Sequence, residues 1–205
     1  AAGLPKIRPS AEDVLLLKPD LVVRSYGGGP NAASFFNRAG IPVLQLGYAN
    51  DMEGIRTVML DVAAALGEPE RGQAVIDDFD ARLAAIAASP SHGRALYVTP
   101  GGVTSGPDSL INDMFEAAGL DNFEETPGWR SLPLERLAHA DPDVIAAASF
   151  DEHITPWSAA RHPILAGAME RNETIHLDGS WTSCGGWFLV DAIEALAERR
   201  GAGQP

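Results

Sequence analysis

The chain has 205 residues, with 15 Lys+Arg against 28 Asp+Glu and a formal net charge of −13. So acidic a chain argues against a nucleic-acid backbone or an anionic membrane surface as partner, since both call for clustered basic residues. Hydrophobic residues make up 45%, as in an ordinary folded protein, no apolar run approaches the ~18–20 residues of a bilayer span, and the single cysteine, Cys184, excludes an internal disulfide and a Cys-based zinc site.

In chain order, Ser10 is placed to cap a short helix over Ala11–Leu17, which Lys18-Pro19-Asp20 stops. Leu21–Arg24 reads as a strand that runs into the Gly-rich loop Ser25–Pro30. Asn31–Ala39 reads as a helix closed by Gly40, and Ile41–Leu46 as the next strand. From Asp51 to Ser89 the pattern is almost all helical. Ile55, Val58, Met59, Val62, Ala63 and Leu66 recur at three- and four-residue steps, and Gly67-Glu68-Pro69 breaks the run. A second helix follows from about Glu70 to Ala88, roughly 28 Å long, enough to bridge two lobes.

After Ser89-Pro90-Ser91 the strand–helix alternation restarts. Strands are expected at Arg94–Thr99, Asp143–Ala147 and Thr174–Leu177. Helices are expected at Ser109–Ala118, Leu134–Ala138, part of Pro156–Glu170, and Trp187–Arg200. Residues 12–23 and 134–145 echo each other as a short helix, a Pro-Asp pair and an apolar strand. The predicted fold is α/β: two Rossmann-like lobes with mainly parallel sheets, joined by a long bridging helix. The first lobe spans 1–66, the bridge 67–90 and the second lobe 91–205.

Several segments then make the chain resemble a known family. They are Lys18-Pro19-Asp20-Leu21-Val22-Val23, Ala39-Gly40-Ile41-Pro42-Val43, Thr104-Ser105-Gly106-Pro107-Asp108-Ser109, Pro127-Gly128-Trp129, Asp141-Pro142-Asp143-Val144-Ile145 and residues 189–197. In this order and spacing they resemble the periplasmic substrate-binding proteins of ABC importers for ferric siderophores, haem and vitamin B12. The resemblance implies capture of a ferric siderophore, haem or cobalamin, no cofactor, delivery to the importer's permease subunits, and a periplasmic location, although Ala1-Ala2-Gly3 carries no signal peptide. Family members begin with a further strand–helix–strand unit, and this chain starts just after it, so the first lobe is expected to own only two strands.

In open α/β sheets ligands bind beyond the carboxyl ends of strands. The loops so placed are Ser25–Pro30, Gly47–Asn50, Pro100–Ser105, Phe150–Trp157 and Gly179–Gly186. Aromatic residues are only 7% of the chain, yet Tyr26, Tyr48, Phe150, Trp157 and Trp181 gather in these loops, with Trp129 just before a helix. Large flat rings suit a large, rigid, partly apolar ligand such as a metal chelate. The candidate ligand-binding residues are Tyr26, Gly28, Tyr48, Ser105, Trp129, Arg130, His153, Trp157 and Trp181. Tyr26 is also the candidate for coordinating haem iron through a phenolate. By resemblance Glu135 falls where the second-lobe carboxylate meets the permease, whereas Asn31-Ala32-Ala33-Ser34 offers no first-lobe counterpart.

Among the five histidines none forms a zinc-enzyme spacing, so neither a resident metal nor a bare-metal cargo is expected. The rival class is a cysteine-dependent enzyme centred on Cys184, which lies just before a helix, with His153 or His176 as base. No Gly-x-Ser-x-Gly elbow or phosphate-binding Lys-Ser/Thr loop supports catalysis.

Overall fold

The computed structural model of the chain describes residues 6–7, 10–25, 31–86, 93–149 and 158–198. Its body is a four-stranded, wholly parallel sheet of order β5-β3-β7-β8. These strands are β3 (Arg94–Val98), β5 (Asp121–Asn122), β7 (Val144–Ser149) and β8 (Glu173–Asp178). The two central strands, β3 and β7, are apolar and almost continuously buried, the pattern of a parallel sheet covered on both faces. The register pairs Ala95 with Val144 and Val98 with Ala147.

Alternate side chains feed two cores. Ala95, Tyr97, Val144 and Ala146 face a core completed by α5 (Leu110–Ala117) and α9 (Leu189–Glu198). Leu96, Val98 and Ile145 face the other, closed by α6 (Leu134–Leu137) and α7 (Pro163–Arg171). Tyr97, Phe115 and Phe123 are fully buried, and burying an apolar side chain of this size contributes about 1.5–3 kcal/mol.

The first lobe is a two-stranded parallel sheet of β1 (Val22–Arg24) and β2 (Val43–Gln45), flanked by α1 (Ala11–Leu16) and α2 (Ala32–Arg38). Ser10 caps α1 through the Asp13 amide, as its sequence position predicts. No residue of α1 is buried, and Leu16 is 80% exposed. The 12–23 and 134–145 segments do share one plan, α1 leading into β1 and α6 into β7.

Two longer helices come next in the chain: α3 (Met52–Ala65), capped by the Asp51 carboxylate, and the 18-residue α4 (Pro69–Ile86). Ile55 of α3 and Phe79 of α4 are buried in the same core as Tyr97. The two helices approach so closely that a Cβ at Gly72 of α4 would lie 2.3 Å from that of Ala63. Arg56 binds Asp80 across the pair, and Arg82 ties α4 to α9 through Asp191 at 2.6 Å and Glu194 at 2.5 Å.

Some elements differ from the sequence reading. The segment read as the loop Pro100–Ser105 contains β4 (Val103–Ser105), which pairs antiparallel with β6 (Trp129–Ser131). Trp129 therefore stands in a strand. Neither Val-Thr-Ser nor Trp-Arg-Ser carries an apolar run or an alternation long enough to mark a strand. The region read as helical from Pro156 resolves, among its described residues, into a 3-10 turn at Ala159–Arg161 and then α7, which His162 caps through the Ile164 amide. A one-turn helix, α8 (Gly179–Thr182), precedes α9.

Candidate functional site

A cavity of about 580 Å³ opens between the first lobe and the second. One wall is Ser25 at the end of β1 and Leu46–Asn50 beyond β2, with Val58 of α3 behind them. The other is Asp108–Ile111 at the start of α5, Trp129 on β6, and Thr182–Gly185 with Leu189. Of the loops expected beyond the strand ends, Phe150–Trp157 lies outside the described residues, and those after β1 (at Ser25), β2 and β8 contribute. The loop Pro100–Ser105 does not, because β4 draws it into the ribbon with β6, and the turn before α5 takes its place.

Among the described residues, two aromatic side chains line this space: Tyr48, 73% exposed, and Trp129, 52% exposed. Trp129 rests edge-on against the buried Tyr97, ring centroids 6.1 Å apart at 73°. The Tyr97 hydroxyl is 2.8 Å from Thr182 Oγ1, so one buried ring supports Trp129 and links the sheet to the 182–185 wall. Burial pushes the Tyr97 phenol above its ordinary range, against the opposing hydrogen bond to Thr182, so it stays neutral. Asp113 of α5 accepts from the Met52 amide at the start of α3 at 3.3 Å and so joins the two walls below the cavity. Desolvation raises its pKa, and the neighbouring Glu116 and Asp51 charges add to this against the Met52 bond.

Of the residues expected in the site, Tyr48 and Trp129 line the cavity together. Arg130 follows Trp129 on a strand, so its side chain leaves from the opposite face, where Glu124 lies 3.8 Å away and is almost wholly buried. Ser105 is fully buried and its hydroxyl has no hydrogen-bond partner. Trp181 packs on the hydrophobic core, and its successors Thr182–Gly185 face the cavity. Glu135 is exposed on α6. Tyr26, Gly28, His153 and Trp157 lie outside the described residues.

The site also recruits residues that sequence reasoning missed, Asp108–Ile111 and Tyr97 chief among them. A signal was present: Ser109 caps α5, and an N-cap marks where a loop turns into a helix beside a strand end. Cys184 is exposed on the cavity wall, with the Ser183 hydroxyl 4.0 Å from its sulfur. His176, considered as its base, is exposed on β8 and does not line the cavity. No group of His, Cys, Asp and Glu among the described residues is arranged to hold a metal ion.

Known proteins resemble the chain in sequence and in fold. Residues 5–156 match the family model described as periplasmic binding protein. A curated protein of Halobacterium salinarum, named cobalamin-binding protein, is 25% identical over 180 residues, 83% of this chain and 48% of its own length. The chain thus spans about half the length of the curated relatives it matches. Among solved structures, the periplasmic heme-binding protein BhuT in complex with two hemes superposes with a TM-score of 0.74 at 26% identity, over 92% of this chain and 77% of that one. A periplasmic heme-binding protein from Pseudomonas aeruginosa gives 0.73 at 22% identity, over 95% and 76%. The periplasmic vitamin B12-binding protein BtuF of Vibrio cholerae gives 0.65 at 20%, over 94% and 79%. The last two likenesses concern the fold alone.

Proposed function

Because the chain belongs to the periplasmic binding protein family, we propose that it captures a metal chelate or tetrapyrrole between its lobes and delivers it to the permease of an ABC importer. The ligand is a ferric siderophore, haem or cobalamin. The observation that carries this reading is the 580 Å³ cavity walled from both lobes, with Tyr48 and Trp129 offering exposed aromatic faces into it. Such a volume falls within the usual range for small-molecule sites, and flat rings match the flat apolar surface of these ligands. The ligands for which these relatives are named, heme and cobalamin, belong to the same chemical class.

The mechanism is capture without covalent chemistry. Trp129, braced by Tyr97, covers one apolar face of the ligand, Tyr48 approaches from the first lobe, and the polar groups at 182–184 fix orientation. In this reading the first lobe is 1–66, the bridge 67–90 and the second lobe 91–205, with α3 a first-lobe helix gripped by the second lobe's core through Ile55. Glu135, exposed on α6, is the second-lobe carboxylate offered to a permease arginine. The compartment is the periplasm, and no helix among the described residues is long and apolar enough to cross a membrane.

The test is a tryptophan-fluorescence titration with ferrioxamine B, haemin and cyanocobalamin side by side. Saturable quenching by one of them at micromolar or tighter affinity is the expected result. The absence of saturable quenching by all three overturns the reading.

A further inference from the structure

Asp108 is the only formally charged residue in the described lining of the cavity. It is exposed, and it makes no hydrogen bond or ion pair with any described residue. Its backbone is left-handed, with φ 58°, a conformation shared by only one other non-glycine residue in the described chain, Lys18. Aspartate and asparagine tolerate that region better than other side chains.

The turn that holds it is tightly fixed. The Gly106 amide donates to the Gly128 carbonyl at 3.0 Å, and the Gly128 amide returns to the Pro107 carbonyl at 2.9 Å. A Cβ on Gly106 would lie 2.0 Å from the Thr126 carbonyl, so the chain passes there only as glycine. The Ser109 hydroxyl donates to the Gly106 carbonyl at 2.6 Å and accepts from the Asn112 amide at 3.2 Å, capping α5. The backbone at Asp108 is thereby held just before an eight-residue helix, on the same cavity wall as Trp129.

A helix N-terminus facing a cavity favours anions through its free amides and dipole. Here an exposed carboxylate, carried on a fixed turn and without a partner among the described residues, sits at that end and reverses the local sign. Resting on the capture reading above, we propose that Asp108 is a charge-selecting residue of the cleft: it favours neutral and cationic chelates over anionic ones. Tris-catecholate complexes and carboxylate-bearing tetrapyrroles are disfavoured. Uncharged corrinoids and cationic hydroxamate complexes pass.

The variant is Asp108→Asn, which keeps the left-handed backbone and removes the charge. An unchanged thermal melt reports that the turn is intact. In low salt the variant binds haemin about three- to tenfold more tightly and ferrioxamine B more weakly by a similar factor, while cyanocobalamin is unaffected. The differences shrink in 0.5 M salt, where charges are screened over a few ångströms. A second readout needs no chelate: the rate at which Cys184, exposed on the same cavity, reacts with an anionic and with a cationic methanethiosulfonate. The wild-type chain favours the cationic reagent, and Asp108→Asn lowers the cationic-to-anionic rate ratio several-fold. An unmoved ratio overturns the proposal, as does chelate binding whose charge preference is the same in both proteins. A shifted ratio in a chain that binds none of the chelates upholds the charge assignment and overturns the capture reading alone.

Discussion

Replacing Trp129 with alanine tests the cleft at its central surface. The indole is 52% exposed and rests on Tyr97. An aromatic side chain of this size buries up to about 250 Å² when covered, so a ligand lying on Trp129 removes roughly 130 Å² more from water. At ~25 cal/mol/Å² this amounts to about 3 kcal/mol, or roughly 200-fold in affinity. The ring's edge contact with Tyr97 adds about 0.5–1.5 kcal/mol to folding, so the variant also melts slightly earlier, and a urea titration separates the two effects. Affinity is best read by calorimetry, because the substitution removes one of the four tryptophan fluorophores. Trp129→Phe, which keeps a smaller ring, falls between. If Trp129→Ala binds the same chelate with unchanged affinity, the ligand does not lie on this face and the assignment of the cavity is wrong.

Other outcomes follow from the packing and the charges. Gly72→Ala drives a methyl to 2.3 Å from Ala63 Cβ and should cost about 1–3 kcal/mol in a urea titration, and a further Ala63→Gly change should restore most of it. Tyr97→Phe deletes the hydroxyl bonded to Thr182 and should cost about 1 kcal/mol of stability while loosening the 182–185 wall, visible as weaker chelate binding. Glu194 has its pKa held down, chiefly by the Arg82 hydrogen bond. Its contribution is therefore complete above the ordinary glutamate range and is lost as pH falls through the depressed folded value. Glu194→Gln should flatten that acid limb of a stability-against-pH curve. The loss near neutral pH should be no more than ~1 kcal/mol, since the pair is partly open to solvent.

The alternation of apolar strands and periodic helices was readable, so β1, β2, β3, β7, β8 and the two long helices fall where the pattern places them. The rule that ligands meet strand ends found three of the loops that wall the cavity. What stayed hidden depends on pairings between distant, very short segments. The β4–β6 ribbon turns Trp129 toward the cavity and Arg130 away from it, a choice set by strand register. In α8 a single helical turn carries Trp181 onto the core and leaves Thr182–Gly185 to face the ligand space. The grip of the second core on Ile55 was likewise invisible, because helical periodicity shows that a stripe is buried but not against which sheet.

That grip decides which wall of the cleft gives way. With α3 and α4 anchored by Ile55, Phe79 and the Arg82 pair, β1, α2 and β2 reach the rest of the chain through the short segment 46–51. Their ladder is three residues long, and neither strand contains a fully buried side chain. Amide hydrogens at 22–24 and 43–45 should therefore exchange by local opening, long before those of β3 and β7. Ligand capture would then register as slowed exchange confined to the first lobe: the Trp129 wall is a fixed anvil, and the Tyr48 wall is ordered by what it closes on.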